Sequence, residues 1–256
     1  MGTGHGSGTL YRPGTSPVHR LPPQVKIVSA LLAVLCVVST PREGFWAFGC
    51  CLLVLCLVWT VAGVPVTWYL TRALIELPFV VLALVLPFAG AGERVAVLGV
   101  SVSVDGALAG WNIVAKGTLG VLVSLTLAAT TSSTELLLGL RRLRAPQLLV
   151  TIATLMVRYL EVIVAEAGRM RIARISRGHD PRFLWQVAAT ARGVGSLFVR
   201  SYERGERVHL AMVSRGWSGA MPEIAPPRRP GLSVWLTGLA PALLVALVLL
   251  GALWTA

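Results

Sequence analysis

Two copies of one hexapeptide carry the residues of this chain best suited to recognition chemistry. Ala173-Arg174-Ile175-Ser176-Arg177-Gly178 and Ala211-Met212-Val213-Ser214-Arg215-Gly216 share the pattern A-x-x-S-R-G and lie 38 positions apart. A guanidinium presents a planar fork of N–H donors that fits carboxylates and carbonyls. The repeat therefore predicts two equivalent docking points for a soluble partner, formed by Ala173, Arg177, Gly178, Ala211, Arg215 and Gly216.

Each copy is followed by residues that stop a helix. His179-Asp180-Pro181 follows the first, and Trp217-Ser218-Gly219 follows the second, with Pro222 soon after. A glycine just past the last turn with a proline beyond it is typical of a helix C-terminus. We therefore predict that each terminal arginine lies in the last turn of a long helix, where the negative end of the helix dipole favours a cation.

Helical spacing brings further arginines to the faces that end in these two points. We predict one helix from about Pro146 to Ser176 and a second from about Pro181 to Ser214. Residues three or four positions apart share a helix face. We predict that four arginines on these helices support the docking points: Arg169, Arg174, Arg204 and Arg207. The alternative is a solvated surface on which Glu203, Arg204, Glu206 and Arg207 pair with one another.

The composition predicts that these helices belong to a membrane protein. The chain has 256 residues, of which 55% are hydrophobic and 13% charged, and its mean hydropathy is +0.74. These values indicate an all-α, polytopic helical membrane protein. Length and hydropathy predict five spans, at about Val25–Thr40, Phe45–Gly63, Arg72–Gly90, Ala107–Thr131 and Leu232–Trp254.

Charge predicts which segments lie inside the cell. Ten arginines and three acids occupy residues 169–215, and the positive-inside rule then makes this region cytoplasmic. Pro146–Ala165 is apolar, but Arg158 and Glu161 would each cost about 3 kcal/mol at the bilayer centre, so we expect this segment at the membrane surface. The predicted order is a flexible cytoplasmic tail (1–24), membrane helices 1–4 (25–131), cytoplasmic helices (132–231) and a C-terminal membrane helix (232–256).

Together with the two hexapeptides, several motifs resemble the transmembrane T component of energy-coupling-factor (ECF) transporters, the EcfT/CbiQ family. The resemblance runs from Pro17 onward and is carried by Val18-His19-Arg20-Leu21, Gly139-Leu140-Arg141-Arg142-Leu143-Arg144-Ala145-Pro146, Arg158-Tyr159-Leu160, Glu166-Ala167-Gly168-Arg169-Met170, Gly195-Ser196-Leu197-Phe198-Val199-Arg200-Ser201 and Glu203-Arg204. The last of these motifs are most similar to the CbiQ branch, which serves cobalt and has close relatives that serve nickel.

The resemblance implies a coupling mechanism. Two ABC ATPases would each hold one helix end, through Ala173, Arg177 and Gly178 or through Ala211, Arg215 and Gly216. A small membrane subunit (the S component) would capture the substrate, and ATP-driven motion of the two helices would reorient it. The chain itself would be a multi-pass protein of a bacterial or archaeal cell membrane, in contact with the lipid bilayer and without enzymatic activity, cofactor or metal site.

Two other functions remain as alternatives. A conventional ABC permease carries E-A-A-x-x-x-G followed by I-x-L-P; Glu166-Ala167-Gly168 begins similarly, but Ile172 stands at the glycine position. An intramembrane enzyme needs acid–base or metal-binding groups near the membrane surface, and the chain has neither H-E-x-x-H nor G-x-S-x-G. Ser132-Ser133-Thr134-Glu135 instead indicates polar capping at a helix end. The net charge of +12 is not accompanied by aromatic stacking residues, so nucleic acid is not a predicted partner.

Overall fold

The chain folds almost entirely into helices. A computed structural model of the protein describes residues 10–89, 94–97, 100–178, 187–217, 219 and 230–255. The helices within these residues are α1 (Pro17–Arg20), α2 (Pro23–Ser39), α3 (Phe45–Ala62), α4 (Val66–Ala73), α5 (Leu77–Ala89), α6 (Val104–Thr130), α7 (Ser133–Arg142), α8 (Gln147–Ser176), α9 (Val187–Val213) and α10 (Leu232–Thr255). A short 3₁₀ turn, Leu74–Glu76, joins α4 to α5.

Two short strands, which the sequence analysis did not predict, precede α6. Arg94–Val97 (β1) pairs antiparallel with Val100–Ser103 (β2), with Val95 opposite Val102. Valine favours extended backbone because its branched side chain packs well on a pleated surface. The hairpin ends at Ser103, whose hydroxyl accepts a hydrogen bond from Gly106 N at 3.2 Å and so caps α6.

Five helices in the described residues are long and apolar enough to cross a membrane. They are Phe45–Ala62, Val66–Ala89, Val104–Thr130, Gln147–Ser176 and Leu232–Thr255. Four of them correspond to predicted spans, although the third begins six residues before Arg72. The structure differs from the prediction in two respects. Helix α8 is long and apolar enough to cross a membrane but was not predicted as a span. Helix α2, predicted as the first span, has 17 residues, which is at the short end of the range for a membrane helix.

The chain divides into two compact units, Met1–Leu140 with Arg228–Ala256 and Arg141–Pro227. In the first unit, α2, α3, α6 and α10 pack around a core that includes Ala33, Leu55 and Leu122. Trp59 of α3 donates from Nε1 to Thr126 Oγ1 of α6 at 2.9 Å. The Trp59 ring also stacks on Tyr69 of α4, with centroids 4.0 Å apart.

Part of the predicted N-terminal tail is ordered against this unit. The Arg12 amide donates to the Ala129 carbonyl at 2.9 Å, and α1 follows. The buried Lys26 ammonium donates to the carbonyls of His19 at 3.0 Å and Thr130 at 2.7 Å. This cation therefore ties α1, the start of α2 and the end of α6 together.

Ser132–Glu135, predicted as polar capping at the end of the fourth span, instead caps the start of a further helix. Glu135 N donates to Ser132 Oγ at 3.3 Å, and Ser132 N donates to Glu135 Oε2 at 3.0 Å. These reciprocal bonds form a capping box at the start of α7, a helix that the sequence analysis did not predict.

Two glycines allow α5 and α6 to pack closely. A Cβ on Gly110 would lie 2.5 Å from the Ala83 carbonyl oxygen, and one on Gly106 would lie 2.5 Å from that of Leu86. The two glycines are four residues apart, the spacing of the small-xxx-small motif that lets membrane helices approach each other.

We predict that Gly110→Leu forces α5 away from α6 and lowers the thermal unfolding temperature of the detergent-purified chain. Gly117→Leu is the matched control, because a Cβ at Gly117 meets nothing within 4 Å. Equal unfolding temperatures for the two variants would contradict this account of the packing.

Candidate functional site

The two hexapeptides lie at the C-terminal ends of α8 and α9, both in the second unit. At the first, the amide of Arg177 donates to the Arg174 carbonyl at 3.1 Å and that of Gly178 to the Ile175 carbonyl at 2.9 Å. Gly178 has φ +78°, a left-handed conformation that glycine adopts without steric cost. Residues 179–186 lie outside the described residues. They include the predicted stop residues of the first helix and Pro181, the predicted start of the second helix.

The second hexapeptide repeats this geometry. The Arg215 amide donates to the Met212 carbonyl at 3.1 Å and the Gly216 amide to the Val213 carbonyl at 2.9 Å, and Gly216 has φ +81°. The predicted helix stops are thus confirmed at both glycines. The helices end within one residue of the predicted positions, α8 at Ser176 and α9 at Val213, and the two arginines follow the last turn rather than lying in it. Tight i→i+3 bonds of the 3₁₀ type replace the α-helical pattern there.

The predicted docking side chains are exposed at both ends. Ala173, Arg177, Ala211 and Arg215 are all exposed. Among the residues that the structure describes, no ion pair is made by Arg177 or Arg215. A Cβ on Gly178 or Gly216 would meet nothing within 4 Å, so backbone conformation alone requires glycine. We refer to residues 173–178 as the first tip and residues 211–216 as the second tip.

Helices α8 and α9 run antiparallel, which separates the two tips. Arg174 lies beside Gly193, Glu166 pairs with Arg200 and Arg204, and Tyr159 shares a cavity with Ala211 and Arg215. The first tip therefore lies near the start of α9, whereas the second tip lies beside the first half of α8. About 20 residues of α8 separate the two levels, and at 1.5 Å per residue this is about 30 Å.

An ion-pair cluster centred on Glu166 holds the two helices together. The Glu166 carboxylate accepts from Arg200 Nη1 at 3.2 Å and from Arg204 Nη2 at 3.0 Å. The Glu166 side chain is only 12% exposed, against 31% for Arg204 and 60% for Arg200. One carboxylate that bridges two guanidiniums from the other helix, with little exposure to water, contributes more than an ordinary surface pair.

The structure gives different roles to the four predicted supporting arginines. Arg204 turns its guanidinium to Glu166 rather than outward. Arg207 pairs with Glu203 of its own helix at 3.9 Å, as the alternative of a paired surface anticipated, and Arg169 is exposed. Arg174 packs beside Gly193, and its Nε and Nη1 atoms are buried without a hydrogen-bond partner in the described residues.

A small cavity adds a second arginine to the second tip. It has a volume of about 180 Å³ and lies between α8 and α9. The residues that line it are Leu155, Arg158, Tyr159, Val208, Ala211, Met212 and Arg215. Arg158 and Arg215 thus border one space, and neither makes an ion pair within the described residues. Sequence reasoning used Arg158 as a cost of membrane insertion and as part of a family motif, and it missed the place of this residue at the second tip.

Comparison with known protein families shows which family the chain belongs to. The family model of CbiQ, cobalt transport protein, matches residues 14–225. The chain belongs to the CbiQ family. The predicted resemblance is thereby confirmed, and the chain is a multi-pass membrane protein. Its described residues contain no group of three or more His, Cys, Asp and Glu that could hold a metal ion.

Three relatives show how far the similarity extends. The cobalt transport protein CbiQ of Rhodobacter capsulatus is 35% identical over 128 residues, which cover 50% of this chain and 51% of that protein. A putative fused cobalt transport protein CbiMQ of Methanocorpusculum labreanum is 31% identical over 48% of this chain and 20% of its own length. The energy-coupling factor transporter transmembrane protein EcfT of Bacillus selenitireducens is 26% identical over 82% of each chain. The chain thus spans about half the length of the first of these relatives.

We predict that Gly216→Ala destabilises the second tip by about 1 kcal/mol, because alanine is strained at positive φ. Gly205→Ala is the matched control within α9. Its Cβ meets nothing within 4 Å, and alanine in a helix interior should stabilise by about 1 kcal/mol. Thermal unfolding of the detergent-purified variants measures both effects, and shifts of the same sign would contradict the prediction.

We also predict that Glu166→Gln lowers the unfolding temperature, because a neutral amide loses both charge-assisted bonds to α9. Glu161→Gln, on the same helix and exposed, should leave the temperature nearly unchanged. A smaller effect of Glu166→Gln in a background of Arg200→Gln with Arg204→Gln than in the wild type would support direct pairing. An equal loss for Glu161→Gln and Glu166→Gln would exclude it.

Proposed function

We propose that this chain is the T component of an ECF-type ABC importer and transmits ATP-driven motion from two ABC ATPases to a membrane subunit that captures the substrate. The observation that carries the proposal is the pair of tips. Two hexapeptides of the same A-x-x-S-R-G pattern end two antiparallel helices with the same backbone geometry and exposed arginines, about 30 Å apart by helix rise.

The separation of the tips supports two partner subunits rather than one. Each tip presents a guanidinium beyond a small alanine, so a partner can approach the helix end closely and offer a carboxylate or carbonyl to the fork. Two such contacts at opposite ends of a helix pair would place one ATPase at each end. Closure of the ATPases would then move both tips at once.

The Glu166 cluster supports transmission of that motion. A lever passes on displacement only when its parts are held together, and packed elements respond as discrete units. Glu166 fixes α8 to α9 between the two tips, so a displacement of either tip would move the pair. Arg174 beside Gly193 and the contacts of Tyr159 extend this junction toward both ends.

The two ATPase contacts need not be equal. Arg158 borders the cavity at the second tip together with Arg215, so an acidic side chain of that partner would meet two guanidiniums. At the first tip, position 174 is arginine, whereas the corresponding position of the second tip is Met212. We infer that Arg158 adds to the docking surface of the second ATPase.

We propose that α8 and α9 lie on the cytoplasmic side, although α8 is long enough to span a membrane. Only Val150 and Thr151 of α8 are buried, and Arg158 and Glu161 are exposed within its apolar part. A crossing helix would place these charges against lipid at about 3 kcal/mol each. The membrane would then be crossed by α2, α3, α4 with α5, α6 and α10, which leaves the N-terminus in the cytoplasm.

We propose cobalt as the transported ion and place its capture on the separate membrane subunit. The family description and two of the relatives name cobalt transport, whereas the relative that matches most of the chain is named only as an ECF transmembrane protein. The T-component role therefore has broader support than the identity of the ion, for which nickel is the alternative.

We predict that Arg177→Glu combined with Arg215→Glu reduces recovery of the ATPases more than about tenfold, because like charges then face the acidic groups of the partner. The measurement is an affinity purification of the tagged chain from its native membrane in mild detergent, with quantification of the co-purifying proteins. Membrane insertion should be unchanged, because both tips lie outside the lipid.

The matched control is Arg12→Glu combined with Arg144→Glu, which reverses two exposed arginines outside α8 and α9. It should retain the ATPases. Equal recovery with the tip variant and the wild type would disprove docking at the tips. A wild-type chain that co-purifies with ATPases and only a periplasmic binding protein would indicate a conventional permease.

A further inference from the structure

An apolar cleft lies between α2, α3, α6 and α10 of the first unit. Its volume is about 580 Å³, within the range of about 300–1,000 Å³ that is typical of ligand sites. The lining consists mainly of aliphatic side chains such as Ala30, Val58 and Leu244. Most of the polar side chains that line it, including Lys26 and Thr130, come from one end of the cleft. We call this end, formed by the start of α2 and the end of α6, the shallow end. The cleft is therefore amphipathic along its length.

The depth of the cleft matches one leaflet of a bilayer. It extends along α2 from Lys26 to Val37 and along α6 from Thr130 to Leu119. Each stretch of eleven steps is about 16 Å long at 1.5 Å per residue, and half of a bilayer's hydrocarbon core is about 15 Å. Buried side chains close the deep end: Val37, Cys51, Leu119 and Val245.

The shallow end carries more positive than negative charge. Lys26 lines the cleft within one turn of the start of α2. Arg20 is exposed and directly precedes Leu21, another lining residue. The Arg12 backbone is bonded nearby, to Ala129 and to the His19 ring. Glu135 is the carboxylate that acts electrostatically on Lys26, and its Oε2 already accepts from Ser132 N.

We propose that this cleft binds one acyl chain of an anionic phospholipid from the adjacent leaflet, with its phosphate beside Lys26 and Arg20. The depth of one leaflet, the closed apolar floor and the cations at headgroup level all fit such a lipid.

The test is native mass spectrometry of the detergent-purified full chain after incubation with phosphatidylglycerol or phosphatidylcholine of the same acyl chains. We expect one phosphatidylglycerol to be retained under activation that strips phosphatidylcholine. Removal of one cation should weaken retention about fivefold, because each basic residue at a membrane surface contributes about that factor. Arg20→Gln and Lys26→Gln are the headgroup variants, and Arg42→Gln, near the other end of α2, is their control.

Two further pairs of variants test the apolar part of the cleft. Ala30→Trp and Ala240→Trp place an indole in the lining and should abolish retention of the lipid. Leu31→Trp and Leu243→Trp are their controls, because these neighbouring residues are exposed and do not line the cleft. If Ala30→Trp prevents folding, Ala240→Trp and its control Leu243→Trp still test the apolar part of the cleft.

Three results would overturn the proposal. They are equal retention of the two lipids, retention by both indole variants at the wild-type level, and displacement of the bound lipid by another membrane protein that cross-links to the cleft. None of these measurements involves an ATPase. Lipid binding and the proposed coupling function therefore stand or fall separately.

Discussion

Inside hydrocarbon a helix satisfies its own backbone hydrogen bonds, so neighbouring helices are held by close packing and by a few polar side chains. The first unit follows this constraint. Gly106 and Gly110 bring α6 against the backbone of α5, and Trp59 bonds to Thr126. The buried Lys26 ammonium bonds to two carbonyls that lie outside its own helix. These few ties leave room between α2, α3, α6 and α10 for the cleft.

The second unit is held in a different way, because charge replaces close packing. Glu166 joins α8 to α9 through two guanidiniums, and many apolar side chains of both helices remain exposed, among them Ile172, Phe198 and Leu210. A helix pair with little apolar burial of its own and a strong polar junction at its centre is suited to move as one body. Movement of α8 and α9 as one body is consistent with the role of this family in transport.

The sequence by itself determined the local features of this protein. Glycine after a polar turn encodes the two helix ends, because Gly178 and Gly216 adopt positive φ without the steric cost that other residues incur. Long apolar runs encode the membrane helices, and Ser132 with Glu135 encodes the cap of α7. Local encoding has limits as well. It did not reveal the β1–β2 hairpin, and it placed the start of the third span six residues too late.

The tertiary structure decided which side chains meet. Glu166 and Arg204 are 38 residues apart, and no periodic pattern in either helix shows that α8 and α9 pack antiparallel at this register. For the same reason Arg204 was predicted to face a partner, and Arg158 was not connected with Arg215. The cleft likewise requires four helices, α2, α3, α6 and α10, at fixed distances from one another, so that residues as far apart in sequence as Lys26 and Val245 line one space. Side-chain spacing within a helix follows from the chain, but contact between helices is a property of how they pack.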